Sequence, residues 1–258
     1  MPIYNRLGKY VVNFFEWDER MKKRWFLLIC CMLCLIFPGC NSQKYERYRG
    51  EFYGTFDTVV TIVGYVQKER DFDRYLSYAQ ERFQYFHQLF DRYEAYTDVT
   101  NIKTINDNAG ISPVKVSKDL FEFLEYCMTW CEKSQGQVNI ALGPVLEIWH
   151  DYRERFENAA EGTLPPKEEL EQANLLTDLQ KVQLDEEAQT VFLTEKGMSL
   201  DVGALAKGYA TEKVGEELFN MGFTSFSISG GGNVRTFSEP VDSERKKWNI
   251  SIMNPNTA

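Results

Sequence analysis

Two linked segments decide how this chain is interpreted: Met198-Ser-Leu-Asp-Val-Gly-Ala-Leu-Ala-Lys-Gly-Tyr-Ala210 and Ser227-Ile-Ser-Gly-Gly-Gly-Asn-Val-Arg235. In the first segment Asp201 ends a short apolar run, and Lys207 follows at the expected start of a helix. In the second, a strand-like run leads into three glycines and an asparagine. Small residues let backbone N–H groups approach an anion, and a helix N-terminus favours negative charge. Together the two segments predict a cradle for a phosphorylated ligand.

The composition sets the class of protein. The chain has 258 residues, of which 43% are hydrophobic, so it can bury a real core in one or two domains. Its formal net charge is −9, and the first 39 residues carry a basic excess, so the remainder is more acidic still. An acidic body argues against nucleic acid as the main partner, although a local positive pocket could still hold a nucleotide.

The N-terminal region has the pattern of an export signal. Met21-Lys-Lys-Arg24 precedes the apolar run Trp25–Pro38, which is too short for a comfortable membrane span, and Gly39-Cys40 follows. A cysteine in this position resembles the lipidated residue of bacterial lipoproteins. We therefore expect a lipid anchor at Cys40 on the extracytoplasmic face of a bacterial cell membrane. An uncleaved anchor and a plain signal peptide remain alternatives.

This pattern predicts four parts along the chain. The leading segment is atypical in front of a signal, so we interpret it as a misassigned start. The predicted parts are a misassigned start over 1–20, a lipoprotein signal peptide over 21–39, a tether over 40–50 and a domain over 51–258.

Periodicity predicts a domain that mixes helices and strands. Apolar residues at helical spacing indicate three helices, and β-branched or alternating runs indicate strands and a hairpin. The predicted helices are 71–94, 117–134 and 167–176, with a further helix that follows a glycine break and is closed by His150 and Asp151. The predicted strands are 52–65, 182–185, 190–194 and 248–253, and 96–108 reads as a polar loop. The fold class is therefore α+β or mixed α/β.

Several polar side chains outside the cradle are given structural roles. Cys127 and Cys131 lie four apart in a helical pattern, where a disulfide has poor geometry and further metal ligands are lacking, so we predict half-buried thiols. His87 lies beside an apolar helix face and is interpreted as structural. His150 and Asp151 are adjacent on a helix and point in different directions, which disfavours joint acid–base catalysis.

The cradle does not match the common nucleotide motifs. The segment from Asp201 to Gly208 lacks the first glycine and the Ser or Thr of a Walker A loop. The triple glycine at Gly230 does not form a GxGxxG fingerprint. Generic dinucleotide-binding folds are therefore not supported.

The chain does resemble one family, the ApbE-type flavin transferases, or FAD:protein FMN transferases. The resemblance covers Phe52 to Pro255, with every motif in the family order. The matching pieces are Tyr53-Gly-Thr55, Tyr96 with Thr100 and Ile105-Asn106, Gly136-Gln-Val-Asn-Ile-Ala-Leu-Gly-Pro144, Asp201-Val-Gly-Ala-Leu-Ala-Lys-Gly-Tyr209 and Gly231-Gly-Asn233.

The resemblance implies an activity and a set of contacts. It implies Mg²⁺-dependent transfer of FMN from FAD to a Thr or Ser of a partner flavoprotein, such as a subunit of an extracytoplasmic electron-transfer complex, with release of AMP. Ala204 would offer its carbonyl oxygen to Mg²⁺. The implied FAD contacts are Tyr53, Tyr96, Gln137, Val138, Asn139, Asp201 and Lys207. Two alternatives stay open: an Mg²⁺-dependent FAD pyrophosphatase, and a lipid-anchored flavin-binding protein without chemistry.

The sequence also departs from the family pattern. Asn139 stands where the family often has Asp, and Ala141 where it often has Thr. The resemblance implies a catalytic histidine and two further metal ligands beyond Ala258. We therefore expect an ApbE-like fold that is incomplete at its C-terminus, and a chain that does not transfer FMN efficiently as written.

Overall fold

The structure is a computed structural model that describes residues 44–157, 162–241, 246–252, 254 and 256. The fold belongs to the unit Tyr45–Ala258. The predicted start, the signal peptide, Cys40 and the first residues of the tether lie outside the described residues. Within the described part of the chain, no helix has the length and apolar character needed to cross a membrane.

A four-stranded antiparallel sheet forms the centre of the fold. Its strands are β1 (Glu46–Thr55), β2 (Thr58–Val66), β6 (Phe226–Gly230) and β7 (Asn233–Phe237), in the order β1-β2-β6-β7. The register pairs Val60 with Gly230 and Gly64 with Phe226. The central pairing of β2 with β6 therefore joins residues that are far apart in sequence.

The prediction of one strand over 52–65 is wrong, because the chain reverses at Phe56 and Asp57. Both residues have positive φ, 52° and 49°, so the connection is a two-residue hairpin turn. Such turns usually carry Asn or Gly, which adopt this conformation with little strain. Phe-Asp lacks that signal, and the β-branched residues on either side read as one continuous run.

The second sheet confirms the predicted hairpin. Strands β4 (Val182–Asp185) and β5 (Thr190–Leu193) pair across a four-residue loop, and β3 (Val114–Lys115) pairs with β5 on the other side. The local signals were sufficient here because both strands and their turn lie within a dozen residues.

Six α-helices complete the described fold of residues 44–157 and 162–241. They are α1 (Glu69–Phe90), α2 (Ile102–Asp107), α3 (Lys118–Lys133), α4 (Gly143–Phe156), α5 (Lys167–Asn174) and α6 (Gly203–Asn220), with one turn of 3₁₀ helix at Leu179–Lys181. Helix α3 begins after the predicted cap, where the Ser117 hydroxyl accepts a hydrogen bond from the N–H of Leu120 at 3.3 Å. Helix α1 ends at Phe90, four residues before the predicted end, and α4 continues to Phe156, five residues past the predicted end at Asp151.

The predicted polar loop over 96–108 contains helix α2, which the sequence analysis missed. Asn101 caps this helix by accepting from the N–H of Thr104 at 3.0 Å, and the Thr104 hydroxyl accepts in return from the N–H of Asn101 at 3.3 Å. Ile102 and Ile105 are buried on one face. The helix has only six residues, so tertiary burial and this reciprocal cap stabilise it rather than length.

Aromatic side chains fill the core between α1, α6 and the sheet. Tyr75 stacks on Phe223 with ring centroids 4.7 Å apart, Phe223 on Phe226 at 4.4 Å, and Phe226 on Phe237 at 4.7 Å. A side chain at Gly64 would overlap the Phe223 ring, since an added Cβ would lie 2.2 Å from it.

The two cysteines of α3 are free thiols, and both are more deeply buried than the half-buried pair that was predicted.

The predicted strand over 248–253 is not formed in its described residues, 248–252. Trp248 instead packs against Tyr65, with ring centroids 5.9 Å apart, and its indole N–H donates to the carbonyl of Ser238 at 2.8 Å. An alternating pattern is not sufficient for a strand, which also requires a neighbouring strand with which to pair.

Gly143, the first residue of α4, is expected to tolerate no side chain. An added Cβ would lie 2.4 Å from the carbonyl oxygen of Ser199. We expect Gly143→Ala to lower the free energy of unfolding by about 2–3 kcal/mol, since the backbone must shift to relieve the overlap. Urea denaturation measures this. Gly162→Ala is the control, because its Cβ would make an ordinary 3.5 Å contact with Phe156. Equal stability of both variants would contradict the prediction.

Candidate functional site

A cavity of about 180 Å³ lies where three parts of the chain meet. These are the β1–β2 turn, the C-terminal end of α1 with the residues after it, and the first turns of α6. The walls combine aromatic rings with charged groups of both signs. They are formed by Phe56, Asp57, His87, Phe90, Asp91, Arg92, Tyr93, Asp201, Val202, Gly203, Ala206 and Lys207.

Asp201 is fixed in this cavity by contacts from three directions. Its backbone N–H donates to the carbonyl of Ile140 at 2.8 Å. One carboxylate oxygen accepts from the N–H of Gly203 at 2.9 Å, which holds the first turn of α6, and the other accepts from Arg92 at 2.8 Å. Asp201 therefore orders the start of α6 as well as facing the cavity.

Arg92 is the principal cavity residue that the sequence analysis missed. It bridges Asp201 and Glu147, and its side chain is only 9% exposed. Both partners are remote in sequence, so no local pattern around Arg92 could reveal them. A planar guanidinium suits such a bridge because it can donate to two carboxylates at once. It also neutralises the charge of Asp201 beside the cavity.

Asn106 positions the residue before Asp201. Its side-chain amide donates to the carbonyl of Leu200 at 3.1 Å, and its side-chain oxygen accepts from the N–H of Leu200 at 2.7 Å. Leu200 is fully buried, so water cannot replace these bonds. Asn106 therefore positions Asp201 indirectly, by fixing the backbone of the residue before it.

Replacing Asn106 with alanine is therefore expected to destabilise the chain by about 2–3 kcal/mol, because two buried backbone groups of Leu200 lose their partners. Chemical denaturation measures the change. Asn108→Ala removes a single bond to the carbonyl of Thr104 and serves as the control, with an expected loss of about 1 kcal/mol. If the two variants lose the same stability, Asn106 has no special role.

The two segments of the predicted cradle approach each other at Gly208 and Asn233, but only the first segment lines the cavity. Lys207 lies on α6 at the cavity, and its ammonium group has no carboxylate within ion-pair distance among the described residues. An added Cβ at the next residue, Gly208, would lie 3.4 Å from the side-chain oxygen of Asn233. Gly231 and Gly232 form the β6–β7 turn with φ of 57° and 89°. Glycine is required there because the left-handed region strains other residues.

The segment after α1 is held by buried polar contacts. The Asn101 side chain is fully buried and donates to the carbonyls of Gln88 and Glu94 at 3.1 and 2.8 Å. The Tyr96 hydroxyl donates to Asp91 at 2.7 Å. Burial, followed by this hydrogen bond to a carboxylate, raises the pKa of Tyr96 to about 12, so the phenol stays protonated in ordinary buffers.

Comparison with known proteins places this chain in a family. The sequence profile of the ApbE family matches residues 56–258. The chain belongs to the ApbE family. Among curated relatives, it is 32% identical over 172 residues to an FAD:protein FMN transferase of Klebsiella pneumoniae, covering 65% of this chain and 50% of the relative. It is 30% identical over 172 residues to an FAD:protein FMN transferase of Treponema pallidum, covering 62% and 46%. The chain thus spans about half the length of these relatives.

Solved ApbE structures have the same fold. The flavin transferase ApbE of Vibrio cholerae superposes with a TM-score of 0.68 at 17% identity, covering 81% of this chain and 65% of that one. The ApbE protein of Thermotoga maritima gives a TM-score of 0.62 at 22% identity, covering 76% and 60%. The predicted mixed α+β class and ApbE-like fold are confirmed.

The cavity brings together only some of the contacts that the ApbE resemblance implies. Asp201 and Lys207 line it, and Tyr96 reaches it indirectly through Asp91. Tyr53 lies on β1, is 62% exposed and donates to Glu51 at 2.8 Å. Two residues beyond it, the Thr55 hydroxyl is buried without a hydrogen-bond partner among the described residues, immediately before the cavity turn. Buried polar side chains nearly always have a hydrogen-bond partner, so this hydroxyl is an exception in the fold.

The ApbE segment Gln137–Asn139 lies beside the cavity rather than in its wall. Gln137 is exposed, and the N–H of Val138 donates to the Ser134 hydroxyl at 2.9 Å. The Asn139 side chain donates to the carbonyl of Thr177 at 2.9 Å and accepts from the N–H of Ala141 at 2.8 Å. Asn139 therefore organises its own turn, and the segment touches the site through the Ile140 carbonyl.

Of the metal ligands that the ApbE resemblance implies, this sequence offers one, the backbone carbonyl of Ala204. Ala204 is exposed in the first turn of α6. Within residues 44–157 and 162–241 and the described residues after them, no three His, Cys, Asp or Glu side chains converge to hold a metal ion. The described side chains therefore do not form a metal site by themselves, and a backbone oxygen would have to act with ligands from elsewhere.

Proposed function

We propose that this protein is an FAD:protein FMN transferase that binds part of FAD in the cavity at Asp201 and Lys207. The observation that carries the proposal is this cavity in a chain of the ApbE family, with an ammonium group that has no acidic partner among the described residues. A cation left available beside a helix start suits a phosphate. The printed names of the relatives supply the reaction class.

The size of the cavity limits which part of FAD it takes. Sites for drug-sized ligands enclose roughly 300–1,000 Å³. The cavity here is about 180 Å³, so it would hold one portion of the dinucleotide while the rest lies along the surface. Phe56, Phe90 and Tyr93 offer apolar walls. Arg92 is already shared by Asp201 and Glu147, which leaves Lys207 as the cation available to a phosphate among the described lining residues.

The proposed reaction joins a hydroxyl to phosphorus. A Thr or Ser hydroxyl oxygen of the partner flavoprotein attacks the FMN phosphorus, and the bond from that phosphorus to the bridging oxygen breaks. AMP leaves with the bridging oxygen, and the hydroxyl proton passes to a base. Lys207 would bind the pyrophosphate and hold it in line for attack. Mg²⁺ is proposed as the cofactor on the family resemblance, with the Ala204 carbonyl as one oxygen ligand, and it would supply charge stabilisation when bound.

Covalent flavin fluorescence tests the proposal. The protein, expressed from its complete reading frame, is incubated with FAD, Mg²⁺ and an acceptor flavoprotein, and the acceptor is examined in a denaturing gel. We expect a fluorescent acceptor and AMP in equal amounts, both abolished by EDTA. AMP without an acceptor would favour an FAD pyrophosphatase. FAD binding with neither product would favour a flavin-binding protein without chemistry.

We also propose that Cys40 carries a lipid that holds the protein at the extracytoplasmic face of a bacterial membrane, where it would meet its acceptor. The basic residues before an apolar run that ends at Gly39-Cys40 support this. Labelling of cells with a radioactive fatty acid should mark the protein and fail to mark Cys40→Ala. Equal labelling of both would exclude this anchor.

A further inference from the structure

We infer that His87 has a role in ligand binding: it holds the β1–β2 turn through one ring nitrogen and presents an N–H donor to the nucleotide through the other. The inference rests on the proposed function, because the ligand is the proposed FAD. It assigns to this site a residue that the sequence analysis interpreted as structural.

The first step concerns the tautomer of His87. The backbone N–H of Phe56 donates to Nδ1 of His87 at 3.2 Å. An imidazole nitrogen that accepts a hydrogen bond carries no proton, so the proton of the neutral ring is on Nε2. His87 therefore offers one N–H donor, and its position on the ring is fixed by the turn.

The second step concerns the orientation of the ring. His87 lies one turn before the end of α1, and Phe56 meets its ring edge to face with centroids 5.5 Å apart. The turn that supplies the N–H is formed by two non-glycine residues with positive φ. The α1 backbone and two contacts from Phe56, one from its amide and one from its ring, hold the imidazole in one orientation. A donor that is held in this way needs no reordering when a ligand binds.

The third step concerns what the Nε2 donor can bind. His87 lines the same cavity as Lys207, and Nε2 has no hydrogen-bond partner in the part of the chain that the structure describes. The guanidinium of Arg92 is already engaged by Asp201 and Glu147. An N–H donor in the same cavity as the Lys207 ammonium group suits an acceptor oxygen or ring nitrogen of a nucleotide, with Lys207 taking the adjacent phosphate charge.

Nitrogen-15 NMR of histidine gives a direct test. The chain has two histidines, so uniform labelling of histidine yields two imidazole spin systems, and His150→Gln assigns them. We expect the His87 Nε2 and its attached proton to shift on addition of FAD. AMP and FMN are then added separately, and the half that reproduces the shift identifies which portion of FAD lies against His87.

Two substitutions separate the roles of the two nitrogens. Asparagine places its amide group near Nδ1, so His87→Asn keeps the partner of Phe56 and removes the Nε2 donor. Glutamine reaches the Nε2 position, so His87→Gln keeps a donor there and frees the Phe56 N–H. We expect His87→Asn to retain slow hydrogen exchange at Phe56 and to weaken FAD binding roughly three- to tenfold. His87→Gln should lose that protection at Phe56.

The outcomes distinguish this inference from the function on which it rests. If the unaltered chain binds FAD in calorimetry but Nε2 of His87 does not shift, or His87→Asn binds FAD with unchanged affinity, the inference on His87 is wrong and the proposed function stands. If the unaltered chain does not bind FAD, the proposed function fails and the inference fails with it.

Discussion

Replacing Arg92 with methionine is expected to lower the free energy of unfolding by about 2–3 kcal/mol. The substitution keeps the length of the side chain but removes the charge between Asp201 and Glu147. The Asp201 side chain is only 19% exposed, and its carboxylate would then have lost the cation that neutralises it. Removing one partner of a largely buried pair costs more than the pair contributes, since the remaining charge is left desolvated.

The matched control is Arg49→Met, which breaks an ion pair with a similar N–O distance at the protein surface. Arg49 lies 2.7 Å from Glu51, and its side chain is 59% exposed. Exposed pairs of this kind contribute roughly 0–1 kcal/mol. Urea denaturation of both variants and of Arg92→Met/Asp201→Asn measures the comparison. We expect the double variant to recover part of the lost stability, because it removes the stranded charge. Equal losses for Arg92→Met and Arg49→Met would show that the cavity pair has no special importance.

Replacing Lys207 with methionine is expected to weaken FAD binding about 10- to 100-fold, which corresponds to one charge-assisted hydrogen bond to a phosphate. The ammonium group has no acidic partner among the described residues, so its removal leaves no carboxylate unpaired and should affect stability little. Fluorescence titration of FAD gives the affinity, and thermal unfolding without FAD reports the stability.

Lys213→Met is the control for this prediction. It lies on the same helix, removes the same charge and packs over the ring of Tyr209 at 5.5 Å, outside the residues that line the cavity. It should bind FAD as tightly as the unaltered chain. Equal affinity for the Lys207 and Lys213 variants would mean that Lys207 is a solvated lysine at the start of a helix.

The parts of the fold that the sequence predicted correctly are those with local signals. The hairpin of β4 and β5 and the helix capped by Ser117 depend on residues close together in the chain. The reversal at Phe56 and Asp57 escaped prediction because its residues are poor turn formers, and their conformation is held from outside by α1. Helix α2 escaped because it has only six residues and depends on burial and on Asn101, which bonds not only to Thr104 but also to the carbonyls of Gln88 and Glu94 outside the helix.

The same distinction applies to the candidate site. Asp201 and Lys207 lie within one motif, so composition and spacing pointed to both. The partners of Asp201 could not be found in this way, because Arg92 lies 109 residues away along the chain. Asn106 was noted only as part of a polar segment, and its two bonds to Leu200 span 94 residues. The roles of Arg92 and Asn106 therefore follow from their contacts in the folded chain and not from their residue types.

The strand order β1-β2-β6-β7 has a consequence for how the chain folds during synthesis. The chain emerges N-terminus first, both from the ribosome and from the export channel that the proposed signal peptide would use. At roughly 5–20 residues per second, synthesis alone takes on the order of 10–30 s from the end of β2 to the start of β6. Throughout this interval the β1–β2 hairpin has an unpaired edge and an apolar face that awaits its partner. The cavity also cannot form before α6 emerges. A chaperone that shields the hairpin would therefore be expected to raise the yield of folded protein.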